Sequence, residues 1–235
     1  MFLYKVQNKK EKLEDFKTAI SSTIRSLSNS QKIEISFGNQ ASKSNKDTIK
    51  LPDIENISNK LNYEEIRAIA DSKSLNFRFS NKKILKKYEP DGNISKKLYS
   101  ISEKIRCEKI GTSYFKGVKN NIEKFYQKRV SQLDLKSSED KIIESFENFL
   151  RVKFLDFKNQ KEIDKKLKTY KKDLNDQFKD KISELKDATL NQERFNNLVS
   201  ELISNMSLDE NMQEEEKKEE KNADDDKQSK PEDND

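Results

Sequence analysis

Apolar side chains recur every three or four residues along most of the chain up to about residue 206, a spacing that places them on one face of a helix. The first stripe is formed by Leu13, Phe16, Ile20, Ile24 and Leu27. A further inner face is predicted from Ile66, Ile69, Ala70, Lys73 and Phe77. Later stripes comprise Ile94, Leu98, Ile101 and Ile105; Phe115, Val118, Ile122, Phe125 and Tyr126; Ile142, Ile143, Phe146, Phe149 and Leu150; and Phe195, Leu198, Val199, Leu202 and Ile203. The pattern predicts a mainly α, multi-helix domain.

Near the N-terminus the period briefly changes to two. In KIEISFG, Ile33, Ile35 and Phe37 alternate with polar residues, which predicts a half-buried strand ended by Gly38. The segment TIKLP predicts a second strand, ended by Pro52. Because two strands alone are marginally stable in water, we expect them to form a small β-hairpin that packs against the helices.

The stretch from residue 161 to 187 has many more charges than the other helical segments. Its apolar residues form a narrow seam of Ile163, Leu167, Tyr170, Leu174, Phe178, Ile182 and Leu185. This spacing is typical either of one arm of an antiparallel helical hairpin or of a coiled-coil stretch.

The chain has only four glycines, so their positions are informative. Pro90 and Gly92 predict a turn that stops one helix and precedes the next. Gly111 is predicted to end that next helix in a left-handed conformation. Gly117 is predicted to allow two helices to approach closely, because glycine has no Cβ.

The segment 207–235 differs in composition from everything before it. From Asp209 onward there are 13 acidic and 5 basic residues and no aromatic residue, so this part has a net charge of −8 and the remainder +13, which sum to the overall +5. Such a segment cannot bury enough apolar surface to offset its ordering entropy. We therefore predict one helical domain over 1–206 and a disordered acidic tail over 207–235, which could attract each other or meet separate partners.

The chain lacks the residues that several kinds of catalytic, metal-binding and phosphate-binding sites require. The chain has no histidine and a single cysteine, Cys107, which excludes an imidazole base, histidine metal ligands and an intrachain disulfide. It also has no Gly-rich phosphate loop, and the ADDD run in the acidic tail lacks fixed geometry for a cation. There is no secretory signal and no apolar run of membrane-spanning length, so we expect a cytoplasmic, non-catalytic interaction module that itself binds no cofactor.

Glu103, Arg106 and Glu108 are closely spaced within an apolar helical run. Glu103 and Arg106 are spaced i, i+3, which would allow an intrahelical ion pair. The alternative is that Arg106 reaches a carboxylate on another helix and fixes a helix crossing. The spacing alone allows both interpretations.

The order of these elements resembles the N-terminal region of the CobT subunit of the aerobic, ATP-dependent cobaltochelatase. That family typically shows R-G-x-x-D-x-x-A-L, then P-x-G, then E-x-x-R-x-E-x-x-G, then G-V-x-x-N-L. The matching residues are Arg67 and Asp71; Pro90 and Gly92; Glu103, Arg106, Glu108 and Gly111; and Gly117, Val118 and Asn121. A later segment, LNQERFNNLVSELI, resembles the family's D-Q-x-x-F-A through Gln192 and Phe195.

The chain also departs from the family pattern. Ala68 stands where relatives usually have glycine, and Ser80, Asn81 and Leu85 occupy positions where they often have a His-Asp pair and a further histidine. Relatives continue past the acidic stretch into a von Willebrand factor A-type domain. We therefore expect this chain to be either a fragment or a split subunit.

The resemblance implies a subunit of a complex that inserts cobalt into hydrogenobyrinic acid a,c-diamide during aerobic cobalamin biosynthesis. It implies two partners, a CobS-type AAA+ ATPase and a CobN-type large subunit, and a complex that uses ATP, Mg²⁺ and Co²⁺. This chain would couple the two partners without being the catalytic centre. The motif residues would be structural or partner-contacting, and we expect Arg67, Asp71, Glu103 and Arg106 to lie in inward or inter-helix polar pairs.

Two other functions fit the composition alone. The basic body could bind nucleic acid, although the aromatic residues lie on apolar stripes and are not interleaved with an exposed basic face. The chain could also be a generic helical scaffold with an acidic tail.

Overall fold

The computed structural model describes residues 2–38, 47–54, 63–135, 137–158, 161–178 and 180–206. The acidic segment 207–235 lies outside these ranges, so its predicted disorder stays a prediction. The helices are α1 (Phe2–Ser28), α2 (Tyr63–Phe79), α3 (Lys82–Lys87), α4 (Asn93–Tyr114), α5 (Lys116–Gln132), α6 (Ser138–Phe154), α7 (Lys161–Lys166), α8 (Lys168–Phe178), α9 (Ile182–Asp187) and α10 (Gln192–Ser204), and the strands are β1 (Glu34–Phe37) and β2 (Thr48–Leu51). The predicted mainly α fold with a small two-stranded sheet is confirmed.

The chain divides into two compact units, each built from three separate stretches of sequence. The first contains Met1–Lys82, Glu103–Leu133 and Leu150–Lys166. The second contains Lys83–Ser102, Asp134–Phe149 and the described residues from Leu167 onward. This division into compact units does not test the predicted domain bounds, so one helical domain over 1–206 stays a prediction. Among the described residues, no helix has the length and hydrophobicity needed to cross a membrane.

In the first unit, α1, α2 and the sheet share one apolar core. Its fully buried members are Ile20, Ile24, Ile33, Ile49, Leu51, Ile54, Ile66 and Ala70. The apolar stripe predicted for α1 therefore faces this core. On α2 the predicted inner face is wrong at Lys73, which is exposed, whereas Ser74 and Leu75 are buried. This helix buries more than one stripe because it packs on α1 and also on α5.

The two strands pair in parallel, with Glu34 opposite Thr48 and Phe37 opposite Leu51, so the predicted hairpin is wrong. A hairpin needs only a tight turn, whereas a parallel pair needs a connection that returns to the start of the first strand. The ten residues between β1 and β2 are enough to retrace a four-residue strand, which is only about 13 Å long. Gly38 does end the first strand, with a φ of +64°.

The second unit has an aromatic core between α6 and α8. The Phe178 ring lies edge-on to Phe146 and Phe149, with centroid distances of 5.6 and 5.8 Å. From 161 to 187 the predicted apolar seam is largely buried, but the predicted continuous helical arm is wrong. The chain forms three separate helices there, α7, α8 and α9, and Ala188 and Thr189 are buried after the last of them.

Both glycine predictions for the α4–α5 region are wrong. Gly111 does not end α4, which continues to Tyr114. A Cβ built on Gly111 would lie 2.2 Å from Leu75 Cδ2, so this glycine lets α4 approach α2. Gly117 is exposed in the first turn of α5, and nothing lies within 4 Å of its Cβ position.

We predict that Gly111→Ala and Gly117→Ala change stability in opposite directions. The Gly111 variant should be destabilised by about 1–3 kcal/mol, because the new Cβ would lie 2.2–2.8 Å from three atoms of the fully buried Leu75 side chain, which must shift. The Gly117 variant should gain about 0.5–1 kcal/mol from alanine's higher helix propensity. Urea unfolding of both variants checks this, and equal effects would contradict the close approach at Gly111.

Candidate functional site

Three charged side chains in the middle of α4 are buried. Glu103 and Arg106 are each 1% exposed, and Glu108 is fully buried. Removing ionised groups from water costs several kcal/mol per group unless they are paired and hydrogen-bonded. The partners of these three side chains therefore determine whether the first unit can fold around α4.

Glu103 and Arg106 form an intrahelical ion pair with two hydrogen bonds. Arg106 Nε donates to Glu103 Oε2 at 2.8 Å, and Arg106 Nη2 donates to Glu103 Oε1 at 2.9 Å. Arg106 Nη2 also donates to the carbonyl oxygen of Phe79 at 2.6 Å. Phe79 is the last residue of α2, where a cation satisfies carbonyls that lack an intrahelical donor. The intrahelical interpretation is therefore the one observed, and Arg106 additionally reaches a neighbouring helix through a carbonyl.

Glu108 connects three helices through its two carboxylate oxygens. Ser72 Oγ on α2 donates to Oε1 at 2.5 Å, and Arg151 Nη1 on α6 donates to Oε2 at 2.6 Å. The side chains of Arg151 and Glu108 are 2% and 0% exposed. The Arg151 guanidinium also lies 4.7 Å from the Tyr126 ring centroid and 5.7 Å from that of Phe157, close enough for cation–π attraction.

Arg151 was not among the residues singled out from the sequence. It belongs to none of the motif elements, and it follows the buried Leu150 at the end of an apolar stripe. The only available signal was one charged residue between two inner-face positions, Leu150 and Phe154. That pattern is also typical of a residue at the edge of a helix face, so it did not identify a buried ion pair.

Asp71 and Asn121 join α2 to α5. Asn121 Nδ2 donates to Asp71 Oδ2 at 2.9 Å, and Asp71 is 1% exposed. Burial raises the pKa of Asp71 above its ordinary value, although the hydrogen bond from Asn121 and the positive charge of Arg67 act to lower it. Arg67 itself is exposed, so the expected inward position is wrong for this residue.

The single cysteine lies inside the same charged region. Cys107 is fully buried, and its Sγ is 3.6 Å from Glu103 Oε1. Burial raises the pKa of the Cys107 thiol well above its ordinary value, and the nearby Glu103 carboxylate adds to this. The thiol therefore stays protonated at neutral pH, and a protonated thiol is a poor nucleophile.

The remaining motif residues do not join this cluster. Pro90 is buried and Gly92 has a φ of +87°, and both precede α4 in the second unit, where they form the predicted turn. The structure brings together Asp71 with Asn121, and Glu103 with Arg106. It places Glu108 with Ser72 and Arg151, residues that no motif includes.

The arrangement is suited to holding helices together. Glu103, Arg106, Glu108 and Asp71 each form hydrogen bonds with other groups of the first unit. Within the described ranges, no group of three or more histidine, cysteine, aspartate or glutamate side chains is placed to hold a metal ion. The candidate site is therefore a buried polar network.

The chain matches a family of known proteins. Residues 10–235 match the family model described as cobalamin biosynthesis protein CobT. The match covers nearly the whole chain, including the buried polar network and the acidic segment. No solved structure matches the chain.

We predict that Arg151→Met destabilises the protein by about 3–5 kcal/mol, because it leaves the buried Glu108 carboxylate without its cation. The double variant with Glu108→Gln should recover part of this loss, since the buried charge is then removed as well. Chemical unfolding of the single and double variants measures the difference. The control is Lys97→Met, which breaks an exposed pair with Glu139 and should cost less than about 1 kcal/mol.

We predict that Asp71→Asn stabilises the protein at neutral pH. The folded state raises the pKa of Asp71, so it binds the proton more tightly than the unfolded state does. Ionising Asp71 therefore lowers stability as pH rises from the unfolded pKa, about 3.9, to the folded one. An asparagine can still accept the hydrogen bond from Asn121. Unfolding measured across pH should show an advantage at pH 7 that disappears towards the unfolded pKa, and an advantage independent of pH would contradict this assignment.

Proposed function

The chain belongs to the family of cobalamin biosynthesis protein CobT, and from this premise we propose that it is a subunit of the aerobic, ATP-dependent cobaltochelatase. Family membership gives it a role in cobalamin biosynthesis. The proposed step is the insertion of cobalt into hydrogenobyrinic acid a,c-diamide. Cobalt is the substrate of this reaction, and we propose that the complex works in the cytoplasm.

Within that complex we propose an assembly and coupling role. A CobS-type AAA+ ATPase would bind ATP and Mg²⁺, and a CobN-type large subunit would hold the tetrapyrrole. This chain would connect the two, so that ATP hydrolysis in one partner drives metal insertion in the other.

This role is supported by the partners with which the charged side chains of the family motif are paired. Glu103 and Arg106 are paired with each other inside the first unit, and Glu108 is paired with Arg151. These side chains fix the crossings of α2, α4 and α6 instead of facing a substrate. Buried charges that position helices support a component that transmits force between partners.

A genetic experiment tests the metal-insertion step. We predict that deleting the gene in its host stops corrinoid synthesis at hydrogenobyrinic acid a,c-diamide, which accumulates while its cobalt-containing product disappears. Mass spectrometry of cell extracts measures both compounds. The intact gene should restore the product, and an unchanged ratio of the two compounds in the deletion strain would rule out a role in this step.

A binding experiment tests the coupling role separately. The chain should co-elute with the assembled AAA+ partner in size-exclusion chromatography in the presence of ATP and Mg²⁺. Arg151→Met is expected to reduce this co-elution because the network no longer holds the helices, whereas the surface variant Lys97→Met should retain it. Full co-elution of the Arg151 variant would show that the network plays no part in assembly.

A further inference from the structure

The two strands of the small sheet differ in their outer edges. On β1, the backbone N–H of Glu34 donates to the carbonyl oxygen of Asp47 at 3.1 Å, and the register directs the backbone groups of Glu34 and Ser36 towards β2. The groups of the intervening Ile35 and Phe37 point the other way, because alternate residues of a strand bond to its neighbour. These N–H and C=O groups have no hydrogen-bond partner among the residues that the structure describes. We call the outward side of Ile35 and Phe37 the free edge of β1.

The outer edge of β2, in contrast, is covered by a helix. Helix α2 packs along this strand, and Lys73 Nζ on that helix donates to the outward carbonyl oxygen of Lys50 at 2.6 Å. A lysine that occupies an edge in this way hinders the addition of another strand. Among the described elements, no helix packs along β1 as closely as α2 packs along β2. The sheet can therefore be extended at the free edge of β1 but not at β2.

The strand β1 also carries a buried hydroxyl that lacks a hydrogen bond. Ser36 is 6% exposed, and its Oγ has no partner among the residues that the structure describes. A buried polar group without a partner destabilises a folded protein. Because Ser36 lies between Ile35 and Phe37, its side chain is on the opposite face of the sheet from theirs. A strand added at the free edge would place a further side chain beside Ser36 on that face.

We propose that the free edge of β1 pairs with the same edge of a second copy of this chain, antiparallel about a twofold axis at Ser36. Ile35 of each copy then lies opposite Phe37 of the other, and each of these two pairs exchanges both backbone hydrogen bonds. The two Ser36 residues face each other as a non-hydrogen-bonded pair, in which the side chains are closest. Their hydroxyls can then hydrogen-bond to each other. The product is a continuous four-stranded sheet in the order β2–β1–β1–β2.

The side chains of β1 are complementary to themselves in this register. Ile35 and Phe37 are only partly buried in the single chain, where they pack against the apolar core of the first unit. Opposite each other they form a pair of a β-branched and an aromatic residue, which is a favourable combination on a sheet face. Glu34 lies opposite Gly38, so the pairing brings no like charges together. This self-complementarity favours a second copy over a strand of another protein.

A cysteine placed at the twofold axis tests the pairing. In a non-hydrogen-bonded antiparallel pair the two Cα atoms are about 4.5 Å apart, within the range of about 4.4–6.8 Å that a disulfide spans. Ser36→Cys should therefore convert most of the intact chain into a disulfide-linked dimer under mild oxidation, which non-reducing gel electrophoresis measures. The covalent bond also captures a dimer that is weak because the paired edge is short.

Lys50→Cys is the matched control. Lys50 is the register partner of Ser36 on the same face of the sheet, but it is exposed. Random collisions would therefore oxidise this variant more readily than Ser36→Cys. In the proposed sheet the two Lys50 positions are three strand spacings apart, about 14 Å, which is too far for a disulfide. Lys50→Cys should stay monomeric, as should the unsubstituted chain, whose single cysteine, Cys107, is buried.

A proline at the free edge tests the hydrogen bonds across the interface. Ile35→Pro removes a backbone N–H that has no partner in the described part of the single chain but donates to the second copy in the proposed sheet. Added to Ser36→Cys, this substitution should reduce the disulfide-linked fraction. Ile35→Ala also shortens the side chain but keeps the N–H, so it should retain the dimer. Circular dichroism shows whether both double variants are folded.

Amide hydrogen exchange of the unsubstituted chain gives a second measurement that depends on no variant. The backbone N–H of Phe37 should exchange more slowly as the protein concentration rises, because pairing protects it in the dimer. The N–H of Lys50 points away from β1 and from the interface, so its exchange rate should not change.

Any of four outcomes would overturn the proposal. Ser36→Cys could remain monomeric, or it could dimerise only to the same extent as Lys50→Cys, which would indicate random collision. The disulfide could form equally well with Ile35→Pro and with Ile35→Ala in folded chains, which would exclude pairing through the free edge. The exchange of the Phe37 amide could be independent of concentration. A Ser36→Cys dimer that Ile35→Pro weakens, together with slower exchange at Phe37, supports the pairing of two copies.

Discussion

The first unit depends on one buried carboxylate. Glu108 lies in the core of a helical protein, where an unpaired charge would oppose folding by several kcal/mol. It is tolerated because Ser72 donates to one of its oxygens and Arg151 to the other. Since these donors belong to α2 and α6, the carboxylate is satisfied only when α2, α4 and α6 are all in place. An apolar contact could slide by a residue at low cost, but this arrangement cannot.

The same logic extends to α5. Its inner side carries Val118, Ile122, Tyr126 and Val130, all buried, and Asn121, which binds the Asp71 carboxylate. Tyr126 also lies against the Arg151 guanidinium. The polar network therefore fixes the position of α5 in the first unit through side chains on its buried face.

The helical stripes could be predicted from the sequence because a helix that is buried on one face has apolar residues every three or four positions, and this spacing is visible in the sequence. The direction of the β1–β2 pair could not, because two four-residue strands have the same composition in a parallel or an antiparallel pair. Gly111 was misinterpreted for a related reason. A left-handed cap and a close helix contact both require glycine, and only the position of Leu75 distinguishes them. Arg151 was missed because its partner is 43 positions away in the chain, so no local pattern connects the two.

The two compact units are interleaved along the sequence. Helix α4 begins in the second unit and ends in the first, because Ser102 and Glu103 are consecutive residues of one helix. Helix α6 is likewise divided, with residues up to Phe149 in the second unit and residues from Leu150 onward in the first. Neither unit corresponds to an uninterrupted piece of the gene, so no single pair of cuts in the DNA would release one of them whole. A recombination event that transferred part of this gene would have to carry both units together to yield a foldable product.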